Sequence, residues 1–167
     1  MKRMFALIVL ATLLCGCASA EKDVTFCFYY PRVTYTQNAT DSVIATENRE
    51  IIELSSIADI LNAYMKGSVN PLLRNPFPAG LEILSVYVME DSIYLTVSDD
   101  LAELTGLDLV LACTCLGQTA AEMTDTQVAQ ISCENAKLDG VKYFTVSSDT
   151  ISYLDPIPEE ITEPTTE

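Results

Sequence analysis

The chain contains no histidine and no tryptophan. Without histidine it lacks the commonest general base near neutral pH and the commonest zinc ligand. Carboxylates, lysine or tyrosine can still move protons, but the lack of histidine argues against an enzyme. Basic residues are also scarce: 9 Lys and Arg stand against 24 Asp and Glu, for a formal net charge of -15. Such a surface repels phosphate backbones, and no basic patch offsets it, so nucleic acid is excluded as a partner. Apolar residues, by contrast, make up 49% of the 167 positions, enough to exclude a wholly disordered chain and to fill the core of one domain.

Met1 to Ala20 divides into the parts of an export signal. Lys2 and Arg3 give the positive start, Phe5 to Leu14 form an apolar run, and small residues follow. That run falls short of the ~20 residues that span a bilayer as a helix. Leu14-Cys15-Gly16-Cys17 resembles the bacterial lipobox. The resemblance implies cleavage after Gly16, a thioether diacylglycerol on Cys17, and a protein held on the extracytoplasmic face of the cell membrane. Ordinary secretory cleavage after Ala18 or Ala20 is the alternative. Removing the leader takes away two of the 9 basic residues and none of the 24 acids, leaving a net charge of about -17. The expected layout is a signal peptide over 1–16, an anchor linker over 17–23, a domain over 24–155, and an acidic disordered tail over 156–167. Pro156, Pro158 and Pro164 alternate in that tail with Glu159, Glu160, Glu163 and Glu167, a composition that cannot bury enough surface to order itself. Asn38-Ala39-Thr40 matches a glycosylation sequon, read here as chance.

Within the domain, Val24 to Tyr30 alternates, with Val24, Phe26, Phe28 and Tyr30 on one face, and predicts a strand. Val43 to Thr46 predicts a short second one. Ser55-Ser56 offers a cap to a helix whose stripe is Ile57, Ile60, Leu61, Tyr64 and Met65, stopped by Gly67. The loop from Asn70 to Gly80 holds three prolines, with Leu72, Leu73 and Phe77 pinning it to the body. Ile83 to Met89 and Ile93 to Val97 predict a hairpin with Leu84, Val86 and Val88 facing the core, Tyr87, Tyr94 and Thr96 facing away, and Asp91 taking the left-handed conformation in the turn. A helix from Asp99 or Thr105 to Glu122 follows, striped by Leu107, Val110, Leu111, Thr114 and Cys115 and apolar nearly all round, hence buried on more than one side. Val128 to Glu134 predicts a strand with Ala129, Ile131 and Cys133 inward; Val141 to Val146 and Thr150 to Leu154 predict a last pair. The order gives an α+β class: a single compact domain with helices packed on a small mixed or antiparallel sheet.

That order and its loop signals resemble the GerMN domain of sporulation and germination lipoproteins. The likeness rests on the helix ending at Gly67, the turn Pro76-Phe77-Pro78-Ala79-Gly80-Leu81, and the hairpin running into Val97-Ser98-Asp99-Asp100-Leu101. Gly67-Ser68 stands where the family has Gly-Pro, and Asp91-Ser92 where it has Asp-Gly. The resemblance implies a ring-building-motif-like fold, no catalytic activity, no cofactor, and a binding or assembly role with an envelope protein partner in sporulation or spore germination.

Candidate site residues are few. Cys17 carries the implied lipid. Cys113-Thr114-Cys115 has the look of a metal motif, but i and i+2 in a helix diverge, so no metal site is expected. Cys115 and Cys133 are the candidate disulfide in an exported compartment. Phe77, Tyr87 and Tyr94 are the candidate contact surface. Paired carboxylates at Asp99-Asp100 and Glu90-Asp91 read as a helix cap and a solvated turn. A cell-wall glycan- or solute-binding lipoprotein, with Tyr87 and Tyr94 stacking on a sugar, is the alternative function, and an envelope hydrolase a third.

Overall fold

The computed structural model describes residues 24–34, 43–51 and 56–147. The expected signal peptide, Cys17, linker, sequon, tail and the strand Thr150 to Leu154 lie outside the described residues.

Strand β1 (Val24–Pro31) pairs antiparallel with β2 (Ile44–Ile51) in a two-stranded sheet. Helix α1 (Ile57–Tyr64) follows. It starts at a capping box in which the Ser56 hydroxyl accepts from the Asp59 N–H and the Asp59 carboxylate accepts from the Ser56 N–H. It ends before Gly67, whose φ of 115° suits a residue without Cβ. A second sheet has the order β3-β4-β5-β6: β3 (Ile83–Met89), β4 (Ser92–Val97), β5 (Val128–Cys133) and β6 (Phe144–Ser147). β4 and β5 run parallel, and the connection between them is a 3-10 turn over Asp99–Glu103 and the long helix α2 (Gly106–Thr124). The class is α+β, as predicted, with one mixed and one antiparallel sheet.

Helix α2 is the centre of the molecule. It packs against β1 on one side and against β4, β5 and β6 on the other. This explains its nearly all-round apolar surface: Leu109, Ala112, Cys113, Cys115, Leu116 and Ala120 are all buried. At the start of the helix the predicted stripe fails: Leu107 and Val110 are exposed, while Leu109 is buried. Gly117 lets the sheet approach. A Cβ there would lie 2.7 Å from Val146 Cγ2. The opposite layer is held by the aromatic residues of β1. Phe28 stacks on Tyr64 with ring centroids 5.2 Å apart, Tyr30 lies 4.9 Å from the same ring, and the Tyr29 N–H donates to Thr119 Oγ1 of α2.

The hairpin departs from its predicted register at one point. Ile83 opposes Val97 and Ser85 opposes Thr96, so Leu84 is the extra residue of a bulge and is exposed. Ile83 takes the core place expected of Leu84. Val86 and Val88 oppose Leu95 and Ile93 on the core face, but β3 lies at the sheet edge, so Val86 is half-buried and Val88 exposed. In the turn, Glu90 and not Asp91 carries the positive φ, 52°. Asp91 acts instead through its carbonyl, which accepts from the N–H groups of Gln127 and Val128 and fixes the start of β5 beside β4. The strand expected over Val141 to Val146 is shorter, Phe144–Ser147; Val141 instead closes a small bridge with Leu138.

Candidate contact surface

With α2 covering one face of the four-stranded sheet, the other face is built by the residues that alternate outward. Tyr87 opposes Tyr94 across the hairpin, Tyr94 opposes Gln130 across the parallel pair, and Gln130 opposes Thr145. Side chains directly opposite share a face, so these form one row, with Ser85, Thr96 and Ser132 in the next. The two tyrosine rings lie 6.2 Å apart, tilted by 43°. Together with Met89, Thr96, Ser132 and Tyr143 they line an open groove of about 420 Å³. Tyr87 is 61% exposed and Tyr143 48%. Lys142 Nζ sits 5.1 Å from the centre of the Tyr143 ring and brings a cation beside the groove. The surface offers aromatic faces, one amide and several hydroxyls, a set suited to stacking and hydrogen bonding. Its lining has no carboxylate, so it carries no acid or base pair.

The structure brings Tyr87 and Tyr94 together and separates Phe77 from them. Phe77 is not a contact residue: it is buried, with its ring edge-on to Tyr64 at 5.1 Å, because the proline-rich loop folds back over the helix end. Tyr143 and Gln130 complete the groove without having been singled out from the sequence. The alternation of Val128 to Cys133 already placed Gln130 opposite to Ala129 and Ile131; Tyr143, just before a four-residue strand, carried no such signal.

A second cluster of polar side chains serves structure. Glu47, in the charged half of β2, is 9% exposed and accepts from Ser68 Oγ, the Asn70 N–H and Arg49 Nε. Arg49 Nη2 donates to Tyr30 Oη at 2.9 Å and to the Gly67 carbonyl at 2.7 Å, with its guanidinium 5.2 Å from the centre of the Phe28 ring. Tyr30 Oη in turn donates to the Tyr64 carbonyl. Burial pushes the Tyr30 hydroxyl up to about 12 despite the nearby guanidinium. The net effect of these bonds is to tie β2 to the segment after α1.

The carboxylate pairs are likewise committed. Asp99 accepts from the N–H groups of Asn135 and Ala136, which hold its carboxyl below the ordinary range, and Asp100 accepts from Ser98 Oγ. Asp99 thus pins the loop after β5 and does not cap the turn that it begins. Cys113 and Cys115 diverge as the helix geometry requires. Cys113 feels Cys133, while Cys115 lies toward Arg74, Tyr30 and Tyr64. Cys115 and Cys133 are both free thiols, so the candidate pairing is not made; the sequence pattern put them on inward faces but not on the same side of α2. Burial raises the Cys113 thiol to about 12 and Cys115 further. Among the described residues no group of three or more His, Cys, Asp or Glu could hold a metal ion, and no helix is long and apolar enough to cross a membrane.

Known structures resemble this arrangement. The tandem GerMN domains of the sporulation protein GerM from Bacillus subtilis superpose with a TM-score of 0.56 at 15% identity, over 80% of this chain and 48% of that one. This chain therefore spans about half the length of that neighbour. A protein described as a lipoprotein from Clostridium perfringens aligns with a TM-score of 0.46 at 17% identity, over 79% of this chain and 92% of the other. No family model matches the sequence, and no curated protein does. The chain has a GerMN-like fold.

Proposed function

We propose that this chain is an extracytoplasmic lipoprotein, anchored to the cell membrane through diacylglycerol on Cys17, whose GerMN-like domain is a non-catalytic binding or assembly module of sporulation or spore germination. The observation that carries the reading is the GerMN-like fold. In support, Glu47, Arg49 and Asp99 are engaged within the domain, and one sheet face presents exposed tyrosines. Two acyl chains would anchor stably where one would not, at ~0.8 kcal/mol per buried methylene. Deleting the gene should lower spore yield or germination, and Cys17→Ala should release the protein or leave an uncut precursor. Normal spores from the deletion, or a mature N-terminus at Ser19 or Glu21, would sink the respective half of the proposal.

A second reading is favoured by the groove itself. Tyr87, Tyr94 and Tyr143 beside Gln130 suit stacking on a cell-wall sugar. Peptidoglycan fragments should then change the tyrosine fluorescence of wild type and not of Tyr87→Ala. An unchanged spectrum removes this reading.

A further inference from the structure

β3 forms one edge of the four-stranded sheet. Natural edges of this length are usually guarded by a lysine, a proline or a covering element. Among the described residues β3 has none along most of its length: Ile83-Leu84-Ser85-Val86-Tyr87-Val88-Met89 holds no charge and no proline. Leu84, Tyr87, Val88 and Met89 are all more than 40% exposed. Its bulge sits at the Ile83 end. There too the Ile83 N–H is taken by Asn62 Oδ1 of α1 at 2.8 Å, and Ile83 is buried where Leu84 beyond it is exposed. Met89 and Ser92 close the two-residue turn, and the antiparallel ladder alternates from that pair. By that count Val88 and Val86 direct their N–H and C=O groups away from β4, into the open.

We propose that this edge docks an extended segment of a partner protein as a fifth strand, uncharged in its middle and carrying Lys or Arg at its ends. Strand addition satisfies the outward backbone groups of Val86 and Val88 and covers the exposed apolar side chains. The ends of the segment are set by charge. Glu82 stands just before the strand and Glu90 and Asp91 just after it, all exposed. Among the described residues the ion pairs are Arg49–Glu47 and Arg74–Asp108, so these three acids are not neutralised by one. A second copy paired about Val86 would set Glu82 against the partner's edge acid Glu90, a like-charge clash at both ends. The chain's own C-terminal stretch brings Glu159, Glu160 and Glu163 and meets the same repulsion. A basic-flanked segment meets attraction at both ends.

The inference deepens the binding-module reading and rests on it, but its assay is independent of any spore phenotype. Two synthetic peptides share one core of alternating valine, tyrosine and threonine; one is flanked by lysines and the other by glutamates. With the full chain in detergent, the lysine-flanked peptide should bind about tenfold more tightly or better, weaken with salt, and slow hydrogen exchange at the Val86 and Val88 amides. Val88→Pro removes an outward donor while leaving the β4 ladder intact and should cost about tenfold in affinity. Val88→Lys keeps the donor but places a charge on the edge and should weaken the same peptide. Leu107→Ala, at the exposed start of α2 and away from this edge, should stay within about threefold. Equal binding of both peptides, wild-type affinity in both Val88 variants, or a dimer of the chain that Val88→Pro dissociates would overturn the proposal.

Discussion

Arg49 donates from Nη2 to the carbonyl oxygen of Gly67 over 2.7 Å, joining a strand to the end of a helix through one side chain. The same guanidinium neutralises Glu47, whose side chain is 8% exposed, so its removal leaves a carboxylate buried without its counter-charge. Arg49→Met should cost about 3 kcal/mol in urea unfolding. Adding Glu47→Gln should then cost less than it does alone, because the two side chains act as a unit. Strict additivity of the two losses would show that they do not.

Glu47 also makes a pH prediction. Burial by itself raises its carboxyl, but Ser68 Oγ, Arg49 and the Asn70 N–H together bring it below the ordinary 4.5. A folded-state value below the unfolded one means that the unfolded chain binds the proton more readily. The stabilisation is therefore present above the unfolded value and lost as pH falls through the folded one. Wild type should lose stability more steeply than Glu47→Gln on acidification below about 4.5, with parallel curves above about 6. Parallel curves throughout would show that Glu47 titrates alike in both states.

Much of this fold is legible in the chain because the relevant signals are local. The alternation of Phe26, Phe28 and Tyr30 and the stripe Ile57, Ile60, Leu61 and Tyr64 each report the face that a core will cover. The pattern fails where burial is polar. The strand expected over Val43 to Thr46 runs on through Glu47-Asn48-Arg49-Glu50, because Arg49, Ser68 and Asn70 supply from a distance what apolar neighbours would supply locally. It fails again at Leu84, since a bulge shifts the phase of a strand without marking the sequence. Of the candidate surface, Tyr87 and Tyr94 follow from hairpin alternation. Tyr143 does not, because it depends on where a short fourth strand returns.

The close approach of α2 to β6 yields a test of packing against propensity. Gly117→Ala should favour a helix by up to ~1 kcal/mol if the site were open. The added Cβ would instead meet Val146 Cγ2 at 2.7 Å and Cβ at 2.8 Å. The net expectation is a loss of about 1–3 kcal/mol, partly recovered in Gly117→Ala with Val146→Ala. A stabilised single variant would show that the sheet yields freely.

Cys113 and Cys115 should be inert while the protein is folded. Burial raises Cys113 to about 12, and the more deeply buried Cys115 rises further. Each unit of elevation removes about tenfold of the reactive thiolate at a given pH. At about pH 8 a disulfide reagent should leave both unmodified for hours and label them at once in denaturant. Rapid labelling of Cys113 in the folded protein would contradict the packing of α2 against β5.

Phe77 separates a stabilising role from a contact role. Its ring fills the space beside Tyr64, and the same loop carries Asn75, whose side-chain amide donates to the Met65 carbonyl at 3.0 Å. The loop therefore closes the end of α1 by one apolar and one polar contact. Phe77→Ala should cost about 3–5 kcal/mol through the cavity it leaves. At temperatures where the variant remains folded, any ligand of the tyrosine groove should bind within about twofold of wild type, since the ring lies outside the groove lining. Lost binding with unchanged stability would put Phe77 back on the contact surface.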